Sequence, residues 1–182
     1  MNSAYAHANF IFLLQLSGEA LNYALADAMR LSPRINTATG RTEVPVTPKL
    51  ERVMSITFPE AEHGNMVEFS PATNPVHAVI IQKSFRINAK RFDATGDKFI
   101  PLRKNNTTFS PDDSRKAAYL TGDTVMEATT RLALMLTLGL HGIKNNLHGY
   151  DAESVKINFR PSVIARLRTF PQGEPPQQIV LC

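Results

Sequence analysis

Cysteine and tryptophan are nearly missing from this 182-residue sequence, which has one cysteine, Cys182, and no tryptophan. A single cysteine cannot form an internal disulfide, so the fold does not depend on an oxidising compartment. Long apolar runs are also missing, because the run 132–140 is interrupted by Thr137 and Gly139 and is shorter than the roughly 18 residues of a membrane span. The first eight residues contain no lysine or arginine, whereas a secretory signal begins with a positively charged segment. We therefore expect a cytoplasmic protein that does not enter a membrane.

The sequence also lacks the motifs that carry catalysis or bind cofactors. It has no Walker-type phosphate loop, no dinucleotide-binding glycine motif and no nucleophile elbow. The five histidines are scattered, and His141 and His148 have no cysteine or acid beside them at metal-ligand spacing. Asp112 and Asp113 are adjacent, and adjacent side chains on a helix point in different directions, so they are interpreted as acids of a first helical turn. We expect no catalytic residue, no metal and no cofactor.

The composition is typical of a globular protein. Hydrophobic residues make up 43% and charged residues 20% of the chain, which argues against wholesale disorder. A chain of 182 residues fits one domain by length. We expect one α+β domain over residues 1–170 and a proline-rich C-terminal tail over residues 171–182.

Hydrophobic periodicity predicts alternating strands and helices. Helices are expected from Ser17 to about Leu31 and from Ser110 to about Leu140, the second with a potential break at Gly122. The order of elements predicts a ferredoxin-like, RRM-like split βαβ sheet with helices on one face and extended basic loops. The predicted strands cover residues 10–16, 52–58, 76–88, 155–159 and 162–170, with a long loop at 33–48 and a protruding hairpin around 66–69.

Positive charge is concentrated in two segments of this basic chain, whose net charge is +4 and whose pI is near 9.4. Residues 83–116 contain nine basic residues against four acids, and residues 156–168 contain four basic residues and no acid. If the closing strands keep one register across Pro161, then Arg160, Arg166 and Arg168 share a face opposite the core, with Ile164 as an apolar exception. Such a cationic sheet face is suited to following a phosphate backbone, and an ordinary solvated face is the alternative interpretation.

One segment carries a resemblance to a known family. Residues 33–44 read P-R-I-N-T-A-T-G-R-T-E-V, follow the apolar segment 10–16, and precede Leu50-Glu51-Arg52. This resembles the start of the CRISPR-associated backbone subunit of Cascade-type complexes, in the RAMP superfamily, where P-R-[IV]-[DN]-x-x-T-G-x-x-x-V leads into a basic L-K-R helix. The resemblance covers roughly residues 10–55. It departs from the family at L-E-R and lacks the N-x-N-G-D-P stretch after the first strand.

The resemblance has implications for both fold and function. It implies an RRM-like core, a helix where the periodicity predicts the strand 52–58, and polymerisation along CRISPR RNA. Carried over residue by residue, it implies RNA contacts from Arg34, Lys49 and Arg52.

Two functions from different classes are therefore in view. The first is a non-catalytic nucleic-acid-binding subunit, for which RNA rather than DNA is the expected ligand, within a multi-subunit ribonucleoprotein of the CRISPR effector type that serves antiviral defence. Its partners would be nucleic acid and other subunits or copies of itself. The alternative is a phage or mobile-element structural or assembly protein that docks acidic protein surfaces through its basic face, and an enzyme ranks third. The candidate nucleic-acid contacts are Arg34, Lys49, Arg52, Arg86, Arg160, Arg166 and Arg168.

Overall fold

The computed structural model describes residues 10–54, 64–91, 99–103, 122–139 and 156–171. The helices are α1 (Gly18–Ala28), α2 (Pro48–Met54), α3 (Pro75–Phe85), α4 (Val125–Thr137) and α5 (Pro161–Leu167). The strands are β1 (Ile11–Phe12), β2 (Arg34–Ile35), β3 (Thr42–Pro45), β4 (Met66–Glu68), β5 (Ile87–Arg91), β6 (Phe99–Arg103) and β7 (Lys156–Ile157). The expected α+β class is confirmed.

Antiparallel pairing joins the described strands in three separate units. β1 pairs with β7, β5 pairs with β6, and β3 lies between β2 and β4. Within the described residues, these units do not form the single four-stranded sheet of a ferredoxin-like domain. The predicted strand 10–16 is shorter than expected, because Leu13–Gln15 forms a 3-10 helix directly after β1.

Helix α1 agrees with the prediction at its start and ends at Ala28, slightly before the expected end. Its buried Asn22 accepts a hydrogen bond from the backbone N–H of Ala72 at 2.7 Å and donates one to Glu19 at 3.1 Å. The other carboxylate oxygen of Glu19 accepts from the N–H of Thr42 at 2.8 Å. These bonds fix α1 to β3 and to the turn before α3.

The predicted loop 33–48 is wrong, because it contains the hairpin of β2 and β3. Arg34 lies opposite Glu43 and Ile35 opposite Thr42. The side-chain oxygen of Asn36 accepts hydrogen bonds from the N–H groups of Ala38 and Thr39, at 2.9 and 3.2 Å, and Gly40 adopts a φ of +70°. Asparagine and glycine favour this local geometry, so they form the turn of a hairpin. β4 then pairs with β3, so the run around 66–69 joins an existing sheet.

Three helices replace predicted strands, and each begins with a proline. Residues 52–54 of the predicted strand 52–58 belong to α2, the predicted strand 76–88 falls largely in α3, and the predicted strand 162–170 falls largely in α5. Proline suits the first helical position because its fixed φ is helical and its missing N–H would have no partner there. The helix that the family resemblance implies in place of the strand 52–58 corresponds to α2.

Helix α4 lies in the second half of the predicted helix 110–140. Thr124 caps it by accepting a hydrogen bond from the N–H of Glu127 at 3.1 Å, while Glu127 accepts from the N–H of Asp123 at 3.0 Å. Gly122 passes so close to Ala128 that a side chain there would collide with the helix backbone. The expected break at Gly122 stays a prediction, because residues 104–121 lie outside the described ranges. The predicted start at Ser110 lies outside the described residues.

The hydrophobic core is one cluster to which all five described helices contribute. α1 packs against α4, α3 packs against both α2 and α4, and α5 packs against α1. Within the described part of the chain, none of the helices has the length and apolar character needed to cross a membrane. The helices that carry or flank most of the candidate cations are therefore fixed by a shared core.

Candidate nucleic-acid interface

All seven candidate contact residues are exposed, but the structure divides them between separate elements. Lys49 and Arg52 lie on α2, Arg86 follows α3, and Arg34 lies in β2. Arg160 precedes α5, Arg166 lies within it, and Arg168 follows it. No single sheet face carries them.

Helices α2 and α3 carry three of these candidates, Lys49, Arg52 and Arg86, as many as lie on and beside α5. The hydroxyl of Ser84 donates a hydrogen bond to the backbone carbonyl of Val53, one of the last carbonyls of α2. Arg52 and Lys83 are the sequence neighbours of this bonded pair. The α2–α3 cation cluster, as we name it, consists of Lys49, Arg52, Lys83 and Arg86.

The local structure of the two helices exposes the four side chains of the cluster to solvent. Leu50 and Met54 are buried and anchor α2, so Lys49 and Arg52, three residues apart, lie on its opposite side. Arg52 donates to the carbonyl of Pro48 at 3.2 Å. Arg86 ends α3 in the left-handed conformation, with its N–H directed to the carbonyls of Gln82 and Lys83. Lysine near a helix C-terminus is stabilised by the partial negative charge of the helix dipole.

Three members of the cluster keep their charge available to a ligand. Among the residues that the structure describes, Lys49, Arg52 and Lys83 make no ion pair with a carboxylate. Sequence reasoning counted Lys83 in the basic segment 83–116 but did not select it. Its position beside α2 depends on a contact between distant parts of the chain, which periodicity cannot reveal.

The arginines around α5 do not form the predicted cationic strand face. Because residues 161–167 are helical, alternation does not apply, and Val163, Ile164 and Leu167 form the buried side instead. Ile164, the exception in the strand interpretation, is thereby explained. Arg160 forms an ion pair with Asp27 at 2.7 Å, which connects the start of α5 to the end of α1.

A polar cluster that sequence reasoning missed holds β4 to α3. Arg41 binds both carboxylate oxygens of Glu68, at 2.7 and 2.9 Å, and the hydroxyl of Ser70 donates to Glu68 at 2.6 Å. The hydrogen bond from Ser70 and the charge and hydrogen bond of Arg41 lower the pKa of Glu68, although burial acts in the opposite direction. The Nδ1 atom of His77 accepts from the backbone N–H of Ser70 at 3.1 Å.

In the same cluster the Ser70 hydroxyl oxygen also lies 3.2 Å from the Nδ1 atom of His77. Ser70 is fully buried, and its hydroxyl is directed to Glu68. Burial lowers the pKa of His77, while the nearby Glu68 carboxylate opposes that shift. Arg41 is therefore committed to Glu68 and differs from the cations of the α2–α3 cluster.

Two further cations have defined partners. Arg131 on α4 is buried, donates to the carbonyl of Leu16 at 3.0 Å and pairs with Glu127 at 3.3 Å. Lys156 lies 4.7 Å from the ring centroid of Phe10 and 5.5 Å from that of Phe12, in cation–π geometry. Arg131 therefore binds partners inside the core, whereas Lys156 lies over aromatic rings beside the β1–β7 pair.

No group of three metal-ligating side chains converges in the described ranges. The histidines at 7, 63, 141 and 148 lie outside those ranges. Comparison of the chain with protein-family models, with curated proteins and with solved structures found no match in any of the three.

Proposed function

We propose that this protein is a non-catalytic nucleic-acid-binding subunit, with RNA as its preferred ligand, in a larger ribonucleoprotein of the CRISPR effector type. Other subunits or copies of itself would be its protein partners. The observation that carries the proposal is the α2–α3 cation cluster, whose exposed lysines and arginines belong to two helices that pack against each other.

The physical basis is charge neutralisation of a phosphate backbone. Nucleic acid holds a layer of condensed counterions, and a protein cation that contacts a phosphate releases them into solution. Lys49, Arg52 and Lys83 are suited to this because no described carboxylate neutralises them. Since the two helices are joined through Ser84 and Val53, the backbone positions that carry the cations are fixed before binding, which reduces the entropy lost on association.

The remaining candidates extend the proposed contact surface. Arg34, Arg160, Arg166 and Arg168 are exposed, and we propose them as additional contacts along a longer strand. Binding through Arg160 would replace its ion pair with Asp27. The position of α2 after the segment 33–44 supports the family resemblance, which has a basic helix there.

A ferredoxin-like frame is the fold that we propose for this subunit. In such a sheet the first strand pairs with the last, and the two middle strands pair with each other. β1 pairs with β7 and β5 with β6, both antiparallel, and α1 packs on α4. The sequence β1, α1, β5, β6, α4, β7 then supplies the required order, with β2, β3, α2, β4 and α3 inserted after α1. The proposal adds one pairing, β1 beside β6.

Purification without nuclease tests the proposed function. The protein has four tyrosines and no tryptophan, so it absorbs weakly at 280 nm and bound nucleic acid dominates the ratio of absorbance at 260 nm to that at 280 nm. We expect a high ratio for the wild type that falls on treatment with ribonuclease but not with deoxyribonuclease. Replacing Lys49, Arg52 and Lys83 by glutamine should lower it, while Arg41→Gln should not. A wild-type ratio typical of free protein, combined with no binding of added RNA, would contradict the proposal.

A further inference from the structure

An exposed stripe on α3 continues from the cation cluster. Val76, Val79 and Lys83 are three and four residues apart, so they lie on one side of the helix, opposite the buried Ala78 and Ile81. We name these three residues the α3 stripe. The side chain of Ser84 faces α2, and Gln82 donates to Thr129 of α4 at 3.0 Å, so the stripe is the side of α3 that neither helix covers.

The apolar half of this stripe lacks an explanation in the fold. Val76 is 63% exposed and Val79 is 45% exposed, and these are the large apolar side chains that are exposed among the described residues. Neither valine is buried in the core. Valine also has a lower helix propensity than alanine or leucine, so helix formation does not favour it at two surface positions one turn apart.

The charge beside the valines indicates which kind of ligand would cover them. Lys83 lies one turn beyond Val79, so a ligand on the stripe meets two apolar side chains and then a cation. The distance along the helix from residue 76 to residue 83 is roughly 10 Å, enough for about two or three stacked nucleotides. A single strand offers this combination, because its unpaired bases expose apolar faces while its backbone carries phosphates. In a duplex the base faces are stacked inside and cannot reach the valines.

We propose that the α3 stripe binds single-stranded RNA, with base or ribose faces on Val76 and Val79 and a phosphate on Lys83. This inference rests on the proposed function and narrows it to unpaired strands. It distinguishes two kinds of contact. The lysine contributes through counterion release, which depends on salt, whereas the valines contribute through apolar burial, which does not release counterions.

The test compares two pairs of variants with the wild type. Affinity for a fluorescein-labelled 20-nucleotide oligouridylate and for a duplex of the same length is measured by anisotropy at several salt concentrations. Val76→Thr with Val79→Thr keeps the side-chain shape and replaces an apolar methyl by a hydroxyl. Val76→Ala with Val79→Ala raises helix propensity, so it cannot lose binding by weakening the helix. Ala165→Ser, an exposed change on α5, is the control.

We expect the threonine pair to weaken binding of the single strand about fivefold at every salt concentration, with an unchanged salt slope. The preference for single strand over duplex should decrease, and the alanine pair should show a smaller loss in the same direction. Unchanged affinity and preference in both pairs would overturn the inference. The inference would also be overturned if the valine variants retained RNA binding but formed a smaller assembly on size-exclusion chromatography, because the stripe would then be a protein interface.

Lys83→Gln separates this inference from the proposed function. If that variant makes the salt slope shallower while the valine pairs have no effect, the stripe inference alone fails. If neither Lys83→Gln nor the valine pairs change RNA binding, both proposals fail at this surface.

Discussion

The Nδ1 atom of His77 accepts a hydrogen bond from the backbone N–H of Ser70, across 3.1 Å, and so fixes the first turn of α3 to the segment that follows β4. A protonated imidazole has no free lone pair at Nδ1, so this bond requires neutral histidine. Arg41 and Glu68 are the charged groups of the same cluster, and of these Glu68 acts on the histidine. The contact therefore depends on pH.

We predict that acidification toward pH 5 destabilises the protein through His77. Burial lowers the pKa of His77 below its ordinary value of 6.5. The unfolded chain therefore takes up a proton first, and the free energy of unfolding decreases as the pH falls below 6.5. Urea denaturation of the wild type and of His77→Asn at pH 7 and pH 5 measures the effect.

The asparagine variant should show a smaller decrease between these pH values, because its amide oxygen can accept from Ser70 without titrating. Equal decreases in both proteins would contradict the assignment. Glu68 does not interfere, since its lowered pKa places the loss of its contribution below its ordinary value of 4.5.

Removal of the Arg131 side chain should lower the free energy of unfolding. Its side chain is 8% exposed, that of Glu127 is 9% exposed, and Arg131 also donates to the carbonyl of Leu16. Arg131→Met leaves a buried carboxylate and a buried carbonyl with fewer partners, so we expect a loss of about 3 kcal/mol in the free energy of unfolding. The double variant with Glu127→Gln should recover part of this loss. A single-variant cost below about 0.5 kcal/mol would refute this role.

The ion pair between Arg160 and Asp27 should contribute little to stability. The Arg160 side chain is 74% exposed, so solvent screens the attraction. Arg160→Ala is expected to cost less than about 1 kcal/mol, and a double-mutant cycle with Asp27→Asn should give a coupling energy in the same range. A coupling of several kcal/mol would show that this pair is structural, which would make Arg160 unsuitable as a nucleic-acid contact.

The sequence predicted some elements correctly and predicted three helices as strands. α1, the end of α4 and the strand at β7 were expected, because their apolar spacing matches one period. α3 was predicted as a strand because Val79, Ile81, Phe85 and Ile87 also fit period two. The start signal, Asn74 before Pro75, was present: Asn74 accepts from the N–H of Val76 at 2.9 Å. Thr47 before Pro48 is an equivalent signal for α2, since Thr47 accepts from the N–H of Leu50 at 3.2 Å.

The candidate interface was predictable only in part. The exposure of its arginines follows from their charge, which disfavours burial unless a partner is present. Their grouping does not follow, because it depends on packing between α2 and α3, which no local pattern encodes. Arg160, Arg166 and Arg168 were grouped through an alternation that a helix does not have, and Ile164 was the residue that signalled the error.

The salt dependence of RNA affinity tests the central claim most directly. The affinity of the wild type for a single-stranded oligouridylate should fall steeply as the salt concentration rises. If about six phosphates are neutralised, a plot of the logarithm of the association constant against the logarithm of the salt concentration should have a slope of about −4. Replacement of Lys49, Arg52 and Lys83 by glutamine removes three of these contacts and should make the slope shallower by about 2. Arg41→Gln removes the same kind of charge from a residue bound to Glu68 and should leave the slope unchanged. A flat response of the wild type, or equal slopes for the wild type and the triple variant, would contradict phosphate binding by the α2–α3 cation cluster.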